Sequence, residues 1–164
     1  IIRGGHNIDP AVIEETLHQH PAVELAAAIG KPDSYAGELP IAYVQLKPGA
    51  QASAEALQAF AREHIPERAA NPVNLFLLDV MPQTAVGKIF KPALRWDAIQ
   101  RVFTELLTPV AEAAGAEIAV AAGASDVHGT LVSITVTGAD KNAGLIKEID
   151  RALASYSIKY EVSI

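Results

Sequence analysis

The chain has 164 residues, a formal net charge of −6 and no cysteine. That length leaves room for one domain or two small ones, and zero cysteine excludes a disulfide scaffold or a thiolate metal site and fits a reducing, cytoplasmic compartment. Half of the residues are apolar and a fifth charged, which excludes disorder; no apolar run approaches the roughly 20 residues of a membrane span. Mild acidity without a basic stripe argues against a nucleic-acid partner. Thirty residues are alanine, so the core is expected to be built from small side chains. The chain starts Ile1-Ile2-Arg3 and its one methionine is Met81. It therefore reads as a piece of a longer protein, without the basic head and apolar stretch of a signal peptide.

Ile1 and Ile2 read as the end of a strand that enters a turn at Gly4-Gly5. Asp9-Pro10 starts a helix, because Asp caps free backbone N–H groups and Pro suits the first helical position. His20-Pro21 ends it. Val23 to Ile29 is a strand closed by the turn cluster Gly30-Lys31-Pro32-Asp33, and Ile41 to Leu46 is a second, followed by Lys47-Pro48-Gly49. Ser53 caps a helix with Leu57, Phe60, Ala61 and Ile65 at helical spacing. Pro66 to Pro72 is loop, Val73 to Val80 a buried strand, and Pro82 to Gly87 a turn. A helix from about Pro92 presents Leu94, Ile99, Val102, Phe103 and Leu106 on one face, and Pro109 is expected to kink or end it. Gly115 stops it before strands at Glu117 to Ala122 and Thr130 to Thr137, the second supported by its β-branched content. Asp140 caps a helix with Leu145, Ile149, Ala152 and Leu153 on one side, and Ile158 to Ile164 closes the chain as a strand. The fold class is α+β: a mixed-sheet domain over residues 1–96, then an αββαβ extension over 97–164 compatible with part of a ferredoxin-like sandwich.

Two segments can carry chemistry. In Gly4-Gly5-His6-Asn7-Ile8-Asp9-Pro10, paired glycines allow positive φ and close approach of a ligand to the main chain. They precede a helix N-terminus, which favours anionic or polar ligands; a tight turn and a cap describe the same residues. In Met81-Pro82-Gln83-Thr84-Ala85-Val86-Gly87-Lys88-Ile89-Phe90-Lys91 a strand runs into a glycine-flexed turn that presents Lys88. The Walker loop is excluded, because Pro82 stands at its first glycine and Ile89 follows Lys88 in place of Ser or Thr. A lysine so held can still reach a phosphate or carboxylate as a compact charge, and a solvated surface lysine fits as well. His18 and His20 lie two apart on a helix and point in different directions; His64 and His128 have no companions in the sequence. No metal is assigned to protein ligands.

Taken together these segments resemble a known family. Positions 2–15, Ile-Arg-Gly-Gly-His-Asn-Ile-Asp-Pro-Ala-Val-Ile-Glu-Glu, look like the opening of the C-terminal domain of adenylate-forming acyl-CoA synthetases (the AMP-dependent synthetase and ligase family). His20-Pro21-Ala22-Val23, Gly30-Lys31-Pro32-Asp33, Gly37-Glu38-Leu39-Pro40 and Leu46-Lys47-Pro48-Gly49-Ala50 follow in that family's order. Pro82-Gln83-Thr84, Gly87-Lys88-Ile89 and Leu94-Arg95 complete the match, which covers residues 1–96.

The resemblance implies a ligase that activates a carboxylic acid, fatty or related, with ATP and magnesium to an acyl-adenylate and passes the acyl group to coenzyme A. It implies that a large N-terminal nucleotide-binding domain of the same protein partners this one and that the small domain rotates between the two steps. Lys88 would be catalytic in adenylation, and Gly4, Gly5, His6 and Asn7 would face the coenzyme A arm during thioester formation. The sequence departs from the family at Val86, where relatives carry Ser or Thr. It departs again in the weakly basic stretch Pro66 to Pro72, and at Tyr35-Ala36, where some relatives place an arginine; these bear on the contacts to the coenzyme's phosphates. The 164-residue piece alone is expected to lack ligase activity. A ligase that loads a carrier-protein pantetheine, a luciferase-like oxidase and a non-catalytic binding or interaction module are the alternatives. Residues 97–164 lie outside the resemblance, and an extension covering apolar surface is their expected role.

Overall fold

The computed structural model describes residues 1–138 and 143–164, and the chain divides into two compact units, Ile1–Arg95 and Trp96–Ile164. The α+β expectation holds: among the described residues there are eight strands in two sheets and four helices. The expected cap at Asp140 lies outside the described residues.

The first unit opens with a hairpin, β1 (Ile2–Arg3) and β2 (His6–Asn7), followed by α1 (Pro10–His18), β3 (Val23–Asp33), β4 (Gly37–Leu46), α2 (Ala54–His64) and β5 (Asn74–Leu77). Both predicted caps are made: Asp9 accepts the Ala11 N–H at 2.9 Å and Ser53 accepts the Ala56 N–H at 3.0 Å. β4 is the spine of the sheet. It pairs antiparallel with β3 along one edge; along the other it takes β1 at Gly37 and, in parallel, β5 from Ile41 to Val44. Ala26–Ile29 and Ile41–Val44 are buried on both faces, as runs covered on both sides must be. Ile13 and Leu17 of α1, Leu57 and Ala61 of α2 and Ile65 just beyond that helix pack with Ala26, Ala28, Ala42 and Val44. On the opposite face the Tyr43 hydroxyl donates to the Leu94 carbonyl at 3.3 Å.

Three local expectations are corrected. The turn expected at Gly30–Asp33 is extended strand, and the chain reverses at residues 34–36. There the Asp33 carboxylate accepts the Tyr35 and Ala36 N–H groups at 3.0 and 2.7 Å, and Gly37 takes φ +78°. The strand expected over Val73–Val80 is only Asn74–Leu77, the length over which it finds β4 as a partner. Inside the expected loop Pro66–Pro72, Arg68–Ala70 forms one 3-10 turn.

Helix α3 runs Lys91–Ala113 with Pro109 inside it, so that proline does not end it. Leu107 and Ala111, on either side of Pro109, are both buried and hold the helix to its core. The second unit continues with β6 (Glu117–Ser125), β7 (Gly129–Thr137), α4 (Ala143–Leu153) and β8 (Lys159–Ser163). The sheet order is β6-β7-β8, with β7 antiparallel to β6 and parallel to β8. One face alternates inward through Val132, Ile134 and Val136 against Phe103, Leu107, Leu145, Ile149 and Leu153. This is the expected αββαβ order, short of a full β-α-β-β-α-β ferredoxin-like unit by its leading strand.

Candidate functional site

The glycine segment is a two-residue hairpin turn. Gly4 and Gly5 have φ +56° and +83°, the pair of positive values that a type I′ turn demands and that glycine supplies without strain. A Cβ built on either would meet nothing within 4 Å, so their backbone faces open space. The hairpin is pinned from three directions. Gly4 N–H donates to the Ala36 carbonyl at 2.7 Å, Ile2 N–H to Glu38 Oε2 at 2.8 Å, and Arg3 to the Ala69 carbonyl at 2.9 Å. His6 is exposed and its Nε2 contacts the Glu67 carboxylate. Asn7 is exposed and pairs with Ile2.

The lysine segment is a second hairpin-like loop. Gln83 bridges Ile89, Phe90 N–H donates to the Pro82 carbonyl at 2.8 Å, and Thr84 N–H to the Lys88 carbonyl at 2.7 Å. The Thr84 hydroxyl accepts the Lys88 N–H at 3.2 Å, and Gly87, at φ +79°, closes the tip. Lys88 is exposed, and among the described residues its ammonium meets no carboxylate at ion-pair distance. Val86 beside it is 80% exposed and Val80, at the loop's entrance, 78%.

The structure does not bring the two segments to one place on the sheet. The glycine hairpin joins at Gly37, where β4 begins. The lysine loop leaves beside Gln45, whose Oε1 accepts the Met81 N–H at 2.6 Å. Eight residue-to-residue steps along β4 separate those anchors, about 27 Å of strand at roughly 3.4 Å per step.

Four supporting residues escaped sequence reasoning: Glu38 and Glu67 at the glycine hairpin, and Glu14 and Gln45 at the lysine loop. Their partners lie 36 to 77 residues away, beyond any local spacing rule. Among the described residues no group of three or more His, Cys, Asp or Glu could hold a metal ion. No helix among them is long and apolar enough to cross a membrane.

Residues 12–88 match the AMP-binding enzyme C-terminal domain family. The chain is 53% identical over 107 residues to the marinolic acid–CoA ligase of Pseudoalteromonas sp. (strain SANK 73390), a match covering 65% of this chain and 16% of that protein. It is 44% identical over 94 residues to the long-chain-fatty-acid–CoA ligase of Bacillus subtilis (strain 168), covering 57% of this chain and 17% of that one. Among solved structures the acyl-CoA synthetase of Brucella canis superposes with a TM-score of 0.55 at 31% identity, over 62% of this chain and 19% of that one. The first unit is thus similar to the C-terminal domain of the adenylate-forming acyl-CoA synthetases. The chain spans less than a fifth of the length of these relatives. The 107-residue match exceeds the first unit by at least 12 residues, so it includes part of the second.

Proposed function

We propose that residues 1–96 act as the mobile C-terminal domain of an acyl-CoA synthetase, working against an N-terminal nucleotide-binding domain of the same protein in the cytoplasm. In the first step a carboxylate oxygen of a fatty or related acid bonds to the α-phosphorus of ATP, with magnesium, and the bond to pyrophosphate breaks. In the second the sulfur of coenzyme A, its proton lost, takes the acyl carbonyl and AMP leaves. Residues 97–164 are an extension that covers apolar surface.

The separation of the two loops along β4 is the observation that carries this reading. Anchors about 27 Å apart on one strand suit two loops that reach a reacting centre in turn, each in its own orientation of the domain. Lys88 supplies a fixed ammonium where negative charge gathers between carboxylate and α-phosphate, stabilisation confined to adenylation. The exposed Val80 and Val86 suit a loop that docks against another surface in that orientation. Gly4 and Gly5, with open space at both Cα atoms, let a pantetheine arm pass along the backbone in the other. His6 and Asn7 border that path as binding residues.

The test is Lys88→Ala in the full-length protein. Pyrophosphate exchange should fall by about 100-fold or more, in the range for losing one electrostatic contact to a transition state. Thioester formation from supplied acyl-adenylate should survive. Equal loss of both half-reactions would rule out a role for Lys88 confined to adenylation.

A further inference from the structure

Resting on that reading of Lys88, we propose that Glu14 is a positioning residue for adenylation: it fixes the C-terminal foot of the Lys88 loop to the sheet. Its carboxylate, on α1, makes two bonds. Oε1 accepts the Ala28 N–H at 3.0 Å and also pairs with the Lys91 ammonium. Among the described residues β3 pairs with β4 alone, so Ala28 points its N–H away from the ladder, and Glu14 supplies the acceptor that the open edge lacks.

Lys91 is the first residue of α3 and stands three positions after Lys88. Between them Ile89 is bridged to Gln83 and Phe90 is bonded to Pro82, so few torsions are free to absorb a movement at Lys91. The other foot is held by Gln45 at Met81. The loop is therefore clamped to two sheet strands, to β4 by a neutral amide and to β3 through a charged relay. Glu14 and Lys91 retain only 29% or less of their side-chain exposure, so water screens the pair in part and the loss of one partner also costs some stability. Its larger effect is on where the loop sits, and a displacement of about 1 Å at a reacting group costs up to roughly 100-fold in rate.

The experiment uses the full-length protein with Glu14→Gln and Lys91→Met, each alone and combined with Lys88→Ala. Pyrophosphate exchange, thioester formation from supplied acyl-adenylate and thermal unfolding are measured on every variant. Gln at position 14 can still accept the Ala28 N–H but loses its charge toward Lys91. Lys91→Met leaves the Ala28 bond untouched and carries the same comparison should Glu14→Gln fold poorly. Each single variant is expected to lower the kcat of adenylation by roughly 10- to 100-fold, with KM for ATP within about twofold and the thioester step preserved. Neither should reduce further the residual adenylation of the Lys88→Ala protein, because a displaced foot has no lysine left to misplace. Additional loss in that background, equal loss of both half-reactions, or full adenylation by the single variants would each overturn the proposal. Should Lys88→Ala itself fail to separate the half-reactions, the reading of Lys88 falls and this one with it. A selective Lys88→Ala loss beside an unaffected Glu14→Gln and Lys91→Met rejects the positioning role alone.

Discussion

Glu38 lies across Gly30: a Cβ at Gly30 would stand 2.6 Å from the Glu38 carboxyl carbon and 2.8 and 2.9 Å from its oxygens. The same carboxylate accepts the Ile2 N–H. The missing side chain at position 30, on β3, thus makes room for the group that holds β1, the strand leading into Gly4-Gly5.

Gly30→Ala is expected to push the flexible end of Glu38 aside at little cost to the fold, about 1 kcal/mol for one hydrogen bond. Its effect should concentrate at the hairpin. Amide exchange at Ile2 should speed up several-fold, and Glu38→Ala should reproduce it without touching position 30. Unchanged exchange at Ile2 in both variants would show that the hairpin stands without Glu38.

Gly5→Ala separates shape from space. Nothing lies within 4 Å of a Cβ there, yet φ is +83°, where an L side chain costs roughly 1–2 kcal/mol. The loss is therefore conformational. In the full-length protein thioester formation should slow by about tenfold, the rate equivalent of that strain, while pyrophosphate exchange holds. Slowed exchange with an intact thioester step would reverse the assignment of the two loops.

The second unit carries its own pH signature. The Tyr160 hydroxyl donates to Asp150 Oδ1 at 2.6 Å. That bond, with desolvation and the carboxylate's charge, pushes the phenol from its usual value near 10 up to about 12. The folded state keeps a proton that the unfolded chain releases first, so the stabilisation is complete below about pH 10 and is lost as pH rises from 10 to 12. Unfolding midpoints measured from pH 9 to 12 should fall more steeply for the native sequence than for Tyr160→Phe. Parallel curves would dismiss the coupling.

Much of the fold was legible where local chemistry decides it. Asp9-Pro10 and Ser53 made their caps, and the β-branched run from Thr130 to Thr137 became the strand β7. The β1–β2 hairpin left no periodicity to read, since each strand has two residues. Gly30 to Asp33 carries turn chemistry but stays extended, because each residue finds a partner on β4 from Pro40 to Gly37. Pro109 is a helix breaker overruled by the burial of Leu107 and Ala111. At the site, Lys88 and Gly4-Gly5 could be singled out because loop residues advertise their conformational needs. Glu14 and Gln45 could not: each looks like an ordinary polar residue on an amphipathic element, and only the tertiary fold supplies its partner.

The strand between the two loops has a consequence for how such a domain can vary. β4 is a ruler whose graduations come in pairs. Adding or deleting one residue between Gly37 and Gln45 would turn Ile41 and Tyr43 to the face now filled by Ala42 and Val44, overturning the packing on both faces of the strand at once. A change of two residues preserves the faces but moves the loops apart or together by about 6.8 Å. The distance between the two working ends is therefore quantised, and in this chain the shorter loops around Gly4 and Lys88, not the strand, are where fine adjustment of reach is open to substitution.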